Sequence, residues 1–260
     1  MLQFRSLGSG SSGNATVVEA HSSGASVTRL LIDCGLGLKH LDLRLARAEL
    51  SADQIDAIFV THEHSDHIGC ARQLALRDRI PVWMSHGTHA AVGQPDFDGL
   101  LRVARDLEPI DLGDLQITPF TVPHDAREPL QLTCTDGQRV LGVLTDLGHV
   151  SAHVAAQLSP CHALLLECNH DEQLLANSRY PDFLKKRVGG RHGHLSNVQA
   201  ADMVRTIRHQ NLRRLVAAHL SEQNNRPGLA QAALAQAMDC AEADIVVAES
   251  ELGTPWISVG

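Results

Sequence analysis

The stretch THEHSDHIG (residues 61–69) follows the apolar run IDAIFV (55–60) and packs three histidines and two carboxylates into nine positions. A short continuous apolar run reads as a buried strand, placed over 55–61, so these ionisable side chains emerge at its carboxyl end. Residues two apart in an extended turn point the same way, which lets His62 and His64 converge on one cation. Asp66 and His67, at the turn into a helix read over 66–78, can face a second. Imidazole and carboxylate together suit zinc, manganese or iron better than calcium or magnesium. Asp66 can also cap the helix, whereas Glu63 and Ser65 read as turn or supporting residues. A merely solvated turn has no need of four donors at this spacing.

The rest of the chain sets the frame for that motif. With 260 residues, 43% hydrophobic and 20% charged, it can bury a sizeable core as one large domain or two small ones. No stretch approaches the roughly 20 apolar residues of a membrane span. The start, MLQFRSLGSGSSGN, lacks a basic leader and a long apolar segment. Six scattered cysteines without a Cys-x-x-Cys pair fit reduced, buried thiols, so a cytoplasmic setting is expected. A formal charge of −8 argues against coating nucleic acid by overall field, and 3% aromatic residues leave little for a platform of several stacking rings. Polyanion binding would need a local basic patch or bound cations.

Strand candidates lie at 15–20, 27–33 and 80–85, and through the turn-rich centre, roughly 101–145. A helical pattern covers 38–50. The second half repeats strand then helix: HALLLECNHD (162–171), SNVQAADMVRTIRHQ (196–210), LRRLVAAHLS (212–221) and GLAQAALAQAMDCA (228–241). The helix over 196–210 has Ser196 as N-cap candidate and an apolar set at Val198, Ala201, Val204 and Ile207. Mixed strands with interspersed helices and no linker favour a single layered α/β domain. Further metal-ligand candidates follow apolar runs: His124 in FTVPHDA, Asp146 in VLTDLG and His219 in VAAHLSEQNN.

THEHSDH with His124, Asp146 and His219 resembles the metallo-β-lactamase superfamily, in the usual order and over essentially the whole chain. The resemblance implies an αββα sandwich, two central mixed β-sheets flanked by helices, as one hydrolase domain over residues 1–260. It implies two divalent ions, Zn²⁺ or Mn²⁺: His62, His64 and His124 on one, Asp66, His67 and His219 on the other, and Asp146 bridging. A bridging aspartate looks like the phosphodiesterase and glyoxalase branches, whereas true β-lactamases often carry cysteine there.

GRHGHLSNVQAA (190–201) resembles the glycine-histidine-serine motif of the transfer-RNA 3′-processing nucleases, which implies a catalytic His194 with Glu167 as acidic partner. SLGSGSSGN (6–14), ECNHD (167–171), RHGHLSN (191–197) and AHLSEQNN (218–225) together resemble the small bacterial WalJ/YycJ-type exonuclease family. The implied activity is 5′-to-3′ DNA exonuclease, using a metal-bridging hydroxide, with Asp66 receiving a proton and His194 protonating the departing oxygen. An alkoxide needs that donor and a thiolate needs it less, which disfavours a glyoxalase-like thioester hydrolase. A cyclic nucleotide or sugar-phosphate phosphodiesterase is the nearest alternative, and a non-enzymatic DNA-binding scaffold a more distant one.

Lys185, Lys186, Arg187 and Arg191, with Arg205, Arg208, Arg213 and Arg214, form a candidate patch for several phosphates, or else a solvated face. The Gly/Ser loop at 8–14 is a candidate phosphate contact through its backbone N–H groups or a tight turn. His170 and Asp171 stay outside the primary ligand set. Oligomeric state is not readable.

Overall fold

Alternation along the strands sorts the apolar residues onto opposite faces. Leu30 and Ile32 point one way and Leu31 the other, as do Val216 and its neighbours Leu215 and Ala217. The computed structural model, which describes residues 1–21 and 26–260, satisfies both faces by stacking two sheets between helices.

The first half supplies β1 (Leu2–Gly8), β2 (Ala15–His21), β3 (Val27–Ile32), α1 (Leu38–Arg47), β4 (Ala57–Phe59), α2 (Ser65–Ile68), α3 (Ala71–Asp78), β5 (Val82–Ser85), α4 (His86–Ala91) and β6 (Leu101–Ala104). Then come β7 (Ile110–Asp111), β8 (Gln116–Thr121), β9 (Leu130–Thr135), β10 (Val140–Leu144), α5 (Ala152–Leu158), β11 (Ala163–Glu167), α6 (Glu172–Asn177), α7 (Asp182–Val188), α8 (Asn197–Ile207), β12 (Arg214–Ala218), α9 (Pro227–Met238), β13 (Val246–Val247) and β14 (Ile257–Ser258). Among the described residues one sheet runs β14, β1, β2, β3, β4, β5, β6 and the other β13, β12, β11, β10, β9, β8, β7.

Phe4, Val18, Leu30 and Phe59 meet Ile117, Leu132, Val143 and Val216 between the sheets. Leu41, Leu45 and Leu74 cover the outside of the first sheet, and Val154, Val204 and Leu234 cover the outside of the second. This is the expected αββα sandwich.

Strand direction decides where the site can be. β3 and β4 are parallel, and two antiparallel steps through β2 bring β1 into the same sense. In the other sheet β10, β11 and β12 are parallel, and β8 joins their sense through β9. The carboxyl ends of these strands therefore gather on one edge of each sheet.

Several expected elements differ in extent. The strand read over 55–61 narrows to Ala57–Phe59, because Ile55 ends a 3₁₀ turn and Thr61 N is diverted to the Asp33 carboxylate. The helix read over 66–78 is two pieces. His67 O accepts from Cys34 N at 2.8 Å, and Cys34 O accepts from Cys70 N at 2.9 Å, so the exit from β3 takes the backbone groups at the break. In α8 Ser196 caps as expected, with Gln199 completing a capping box. Its apolar face is corrected: Val198 is 51% exposed, and Ala200 and Met203 are buried in its place. The strand β1 and the helices α4 to α7 were not read from sequence. All six cysteines are free and five are buried, but Cys240 is exposed. Among the described residues no helix is long and apolar enough to cross a membrane.

Candidate metal centre

The gathered strand ends bring the sequence candidates together. His62, His64, Asp66 and His67 leave β4, His124 follows β8, Asp146 follows β10 and His219 follows β12. Glu167 is the last residue of β11, and His194 lies in the turn before α8. His62, His67, His124, Asp146 and His219 are buried, while His64 and Asp66 keep partial contact with a cavity of about 340 Å³.

Hydrogen bonds at the far ring nitrogens decide which atoms face inward. His124 Nδ1 donates to Gly193 O at 3.0 Å, His219 Nδ1 to Thr145 O at 2.7 Å and His67 Nδ1 to the Asp33 carboxylate at 2.7 Å. Each leaves Nε2 free toward the centre, the usual arrangement by which an outer partner orients a metal-binding imidazole.

The donors then fall into two clusters. His62 Nε2 and His64 Nδ1 are 3.1 Å apart, and His64 Nδ1 and His124 Nε2 are 3.4 Å apart. A tetrahedral ion with Zn–N bonds of about 2.0–2.1 Å spaces its ligands about 3.3 Å from one another. Asp66 Oδ2 lies 3.6 Å from His67 Nε2 and 3.5 Å from His219 Nε2. Asp146 stands between the clusters, with Oδ2 2.9 Å from His67 Nε2 and Oδ1 3.7 Å from His124 Nε2. Although close to these rings, Asp146 Oδ2 and His219 Nε2 have no hydrogen-bond partner among the described residues. Buried atoms of this polarity are costly unless paired or bound to a cation, so the residues present fit divalent metal.

The charge balance agrees. Burial opposes charge on Asp146, yet the His219 and His67 rings hold its carboxyl well below the usual range. Burial also opposes a charged His67, but Asp146 and Asp33 overcome it and push the ring up to about 10. Of these two carboxylates Asp146 faces Nε2, the atom turned to the centre, where a cation would replace the proton. His62, with no carboxylate in hydrogen-bonding contact, is driven well below its ordinary value by burial.

His194 is placed differently. Its Nδ1 donates to Glu167 Oε1 at 2.7 Å and lies 3.2 Å from Asp146 Oδ1. Glu167 is fixed in turn, because its Oε2 accepts from the N–H groups of Leu147 at 2.8 Å and Leu195 at 3.1 Å. Burial works against protonating His194, but Glu167 and Asp146 raise it to about 9. His194 thus borders the cavity beside the donor clusters, with two carboxylates favouring its protonated form.

A family model described as a beta-lactamase superfamily domain matches residues 28–220. Exodeoxyribonuclease YycJ of Bacillus anthracis is 32% identical over 243 residues, spanning 92% of this chain and 89% of that protein. The chain is a metallo-β-lactamase superfamily protein of the WalJ/YycJ type. Exodeoxyribonuclease WalJ of Streptococcus pneumoniae serotype 2 is also 32% identical, over 94% of this chain and 90% of its own. The structure of the metallo-β-lactamase fold protein YhfI from Bacillus subtilis covers 99% of the chain at a TM-score of 0.74 and 16% identity, which supports the fold. Family and donor clusters together make this WalJ/YycJ-type protein a metal-dependent hydrolase.

The supporting residues were less visible in sequence. Asp33 sits at a positive φ of 61° after β3 and accepts from Thr61 N and Thr61 Oγ1 as well as from His67. A lone strand-end acid gave the only signal. Asn14 reaches the carbonyls of Gly10 and Asp66, and Ser9 Oγ accepts from His219 N. The Gly/Ser loop therefore braces the donor loops, and Ser11 also lines the cavity.

Asp171 caps α6, and His170 is buried outside the donor clusters. The basic patch is corrected: Arg187 lines the cavity, but Arg214 begins β12, with Arg213 just before it, and the strand's five residues carry the chain roughly 16 Å before His219. Arg208 is likewise at the far end of α8 from His194.

Proposed function

We propose that the chain hydrolyses nucleic-acid phosphodiesters as a 5′-to-3′ DNA exonuclease, acting in the cytoplasm as a single domain over residues 1–260. The observation that carries this reading is the His194–Glu167 pair beside Asp146. Expelling a sugar alkoxide needs a proton at the leaving oxygen, and a half-buried, carboxylate-held imidazolium supplies one. The names of the WalJ and YycJ relatives, both exodeoxyribonucleases, favour DNA.

His62, His64 and His124 would hold one ion, Asp66, His67 and His219 another, with Asp146 shared between them. Two divalent cations, Zn²⁺ or Mn²⁺, supply an activated water and neutralise phosphate charge when bound. Around them the chain orients the reaction. Glu167 keeps the His194 proton on Nδ1 and leaves Nε2–H to face the cavity. Asp66, the carboxylate with partial access to that cavity, receives the proton released by the attacking water. Asp33, Gly193 O and Thr145 O engage Nδ1 of three rings, so that Nε2 is the atom each would offer to an ion.

The test offers 5′-labelled linear duplex DNA, single-stranded RNA, a cyclic nucleotide and a glutathione thioester with Mn²⁺ or Zn²⁺. Progressive release of nucleotides from the DNA 5′ end is expected. Cleavage confined to the cyclic nucleotide or the thioester overturns the proposal.

A further inference from the structure

Four of the five phenylalanines, Phe4, Phe59, Phe97 and Phe120, are buried, but Phe183 is 72% exposed. It stands on α7, whose Leu184, Arg187 and Val188 form a wall of the cavity beside His194, Asp146 and His219. Phe183 and Arg187 are four residues apart, so they are neighbours on the helix surface, one turn or about 5.4 Å along the axis. Folding does not explain this ring: helix α7 buries none of its own residues. The setting is cationic, with Lys186 exposed beside it and Arg187 tied, among the described residues, to Asp125 at 2.7 Å. Asp125 Oδ1 in turn lies 3.4 Å from His124 Nε2, so the guanidinium reaches the border of the donor cluster.

We propose that Phe183 stacks one nucleobase of a single-stranded or frayed substrate, while Arg187 takes an adjoining phosphate. This rests on the nuclease reading and adds to it a substrate form: a strand whose base is already unstacked at the cleft mouth. An aromatic face binds any base, so the contact positions the strand without reading its sequence. One exposed ring on a basic helix suits a polyanion that carries flat apolar groups, since a purely apolar partner would cover the ring and offer nothing to the exposed Lys186 charge. Arg187 leaves Asp125 when the phosphate arrives, exchanging one anion for another.

The test uses the full chain in EDTA, so that binding is read without turnover, and a set of fluorescein-labelled ten-nucleotide DNA strands. Each strand carries a single abasic residue at a different position. Wild type should lose affinity roughly 5- to 150-fold when one particular base is missing, the range found for removing a base–aromatic stack. Phe183→Ala should bind the intact strand that much more weakly and show no further loss at that position, whereas Phe183→Trp should restore the pattern. Equal abasic penalties in wild type and Phe183→Ala overturn the proposal. So does concentration-dependent dimerisation that Phe183→Ala abolishes, which would make the ring a contact between two copies. A wild type that binds no oligonucleotide in EDTA and cleaves none once Mn²⁺ is restored overturns the nuclease reading as well, while cleavage with Mn²⁺ alongside equal abasic penalties in EDTA overturns the Phe183 contact alone.

Discussion

Replacing Glu167 with glutamine keeps an oxygen for the N–H groups of Leu147 and Leu195, but it turns an amide donor toward His194 Nδ1. The ring must then accept at Nδ1 and carry its proton on Nε2, as a neutral and much weaker acid. Glu167 is the largest influence raising His194 from 6.5 to about 9, so the variant falls back toward the ordinary value. Because the charged ring is the acid, activity is lost as pH rises through its pKa, and the alkaline limb of the profile moves to lower pH. At pH 8 a pKa of about 9 leaves roughly 90% of the ring charged, and one of 6.5 leaves roughly 3%, which sets a limit of about thirtyfold in rate. Asp146 Oδ1 stays 3.2 Å from Nδ1 and retains part of the shift. The assay is kcat/KM between pH 6 and 10 on a labelled oligonucleotide at saturating metal, with His194→Ala as the variant lacking the limb. An alkaline limb that His194→Ala leaves in place refutes the assignment of the proton donor, and one that Glu167→Gln leaves unmoved, while His194→Ala removes it, refutes the part given to Glu167.

Asp33→Asn should weaken metal binding about 10- to 100-fold, because His67 loses the carboxylate that fixes its ring; competition against a chelating dye reads this, and unchanged affinity would rule out the orienting role. Ser196→Ala removes the hydroxyl that accepts from Gln199 N and donates to Glu172, and should cost about 1 kcal/mol in urea unfolding. An unmoved midpoint there means that the cap contributes nothing to stability. Chelation with EDTA should abolish turnover and lower Tm, since ions that bind only the folded chain stabilise it by mass action. An identical Tm with and without chelator would show that the seven donors hold no ion under those conditions.

The donor candidates were legible because they cluster just after apolar runs, and strands in a layered domain release their ends at a common edge. That rule made Asp146 and His219, 80 and 153 positions beyond Asp66, candidates, and the family resemblance joined them to the motif. Asp33 could not, because one acid at a strand end looks the same whether it caps a turn or steers an imidazole. Val198 was misplaced because helical periodicity admits it on the apolar stripe, while the packing of α8 against the sheet and α9 takes Ala200 and Met203 instead. Arg213 and Arg214 looked near His219 only because sequence distance hides strand direction. The short terminal strands β13 and β14 exist by pairing with partners far along the chain, and two residues of sequence carry no periodicity.

The loop bearing THEHSDH is joined to its surroundings by its backbone as well as by its side chains. Asp66 O accepts from Asn14 N, His67 O accepts from Cys34 N, and a Cβ on Gly35 would come within 1.7 Å of Asp66 O. Gly69, at a φ of 27°, would meet Cys34 O at 2.3 Å. Anyone transplanting the motif into another strand-turn-helix scaffold would therefore carry over four donors and leave their mould behind. A host needs a second strand exit free of side chains, and an asparagine turn beside it, before the grafted histidines have a shape to fill.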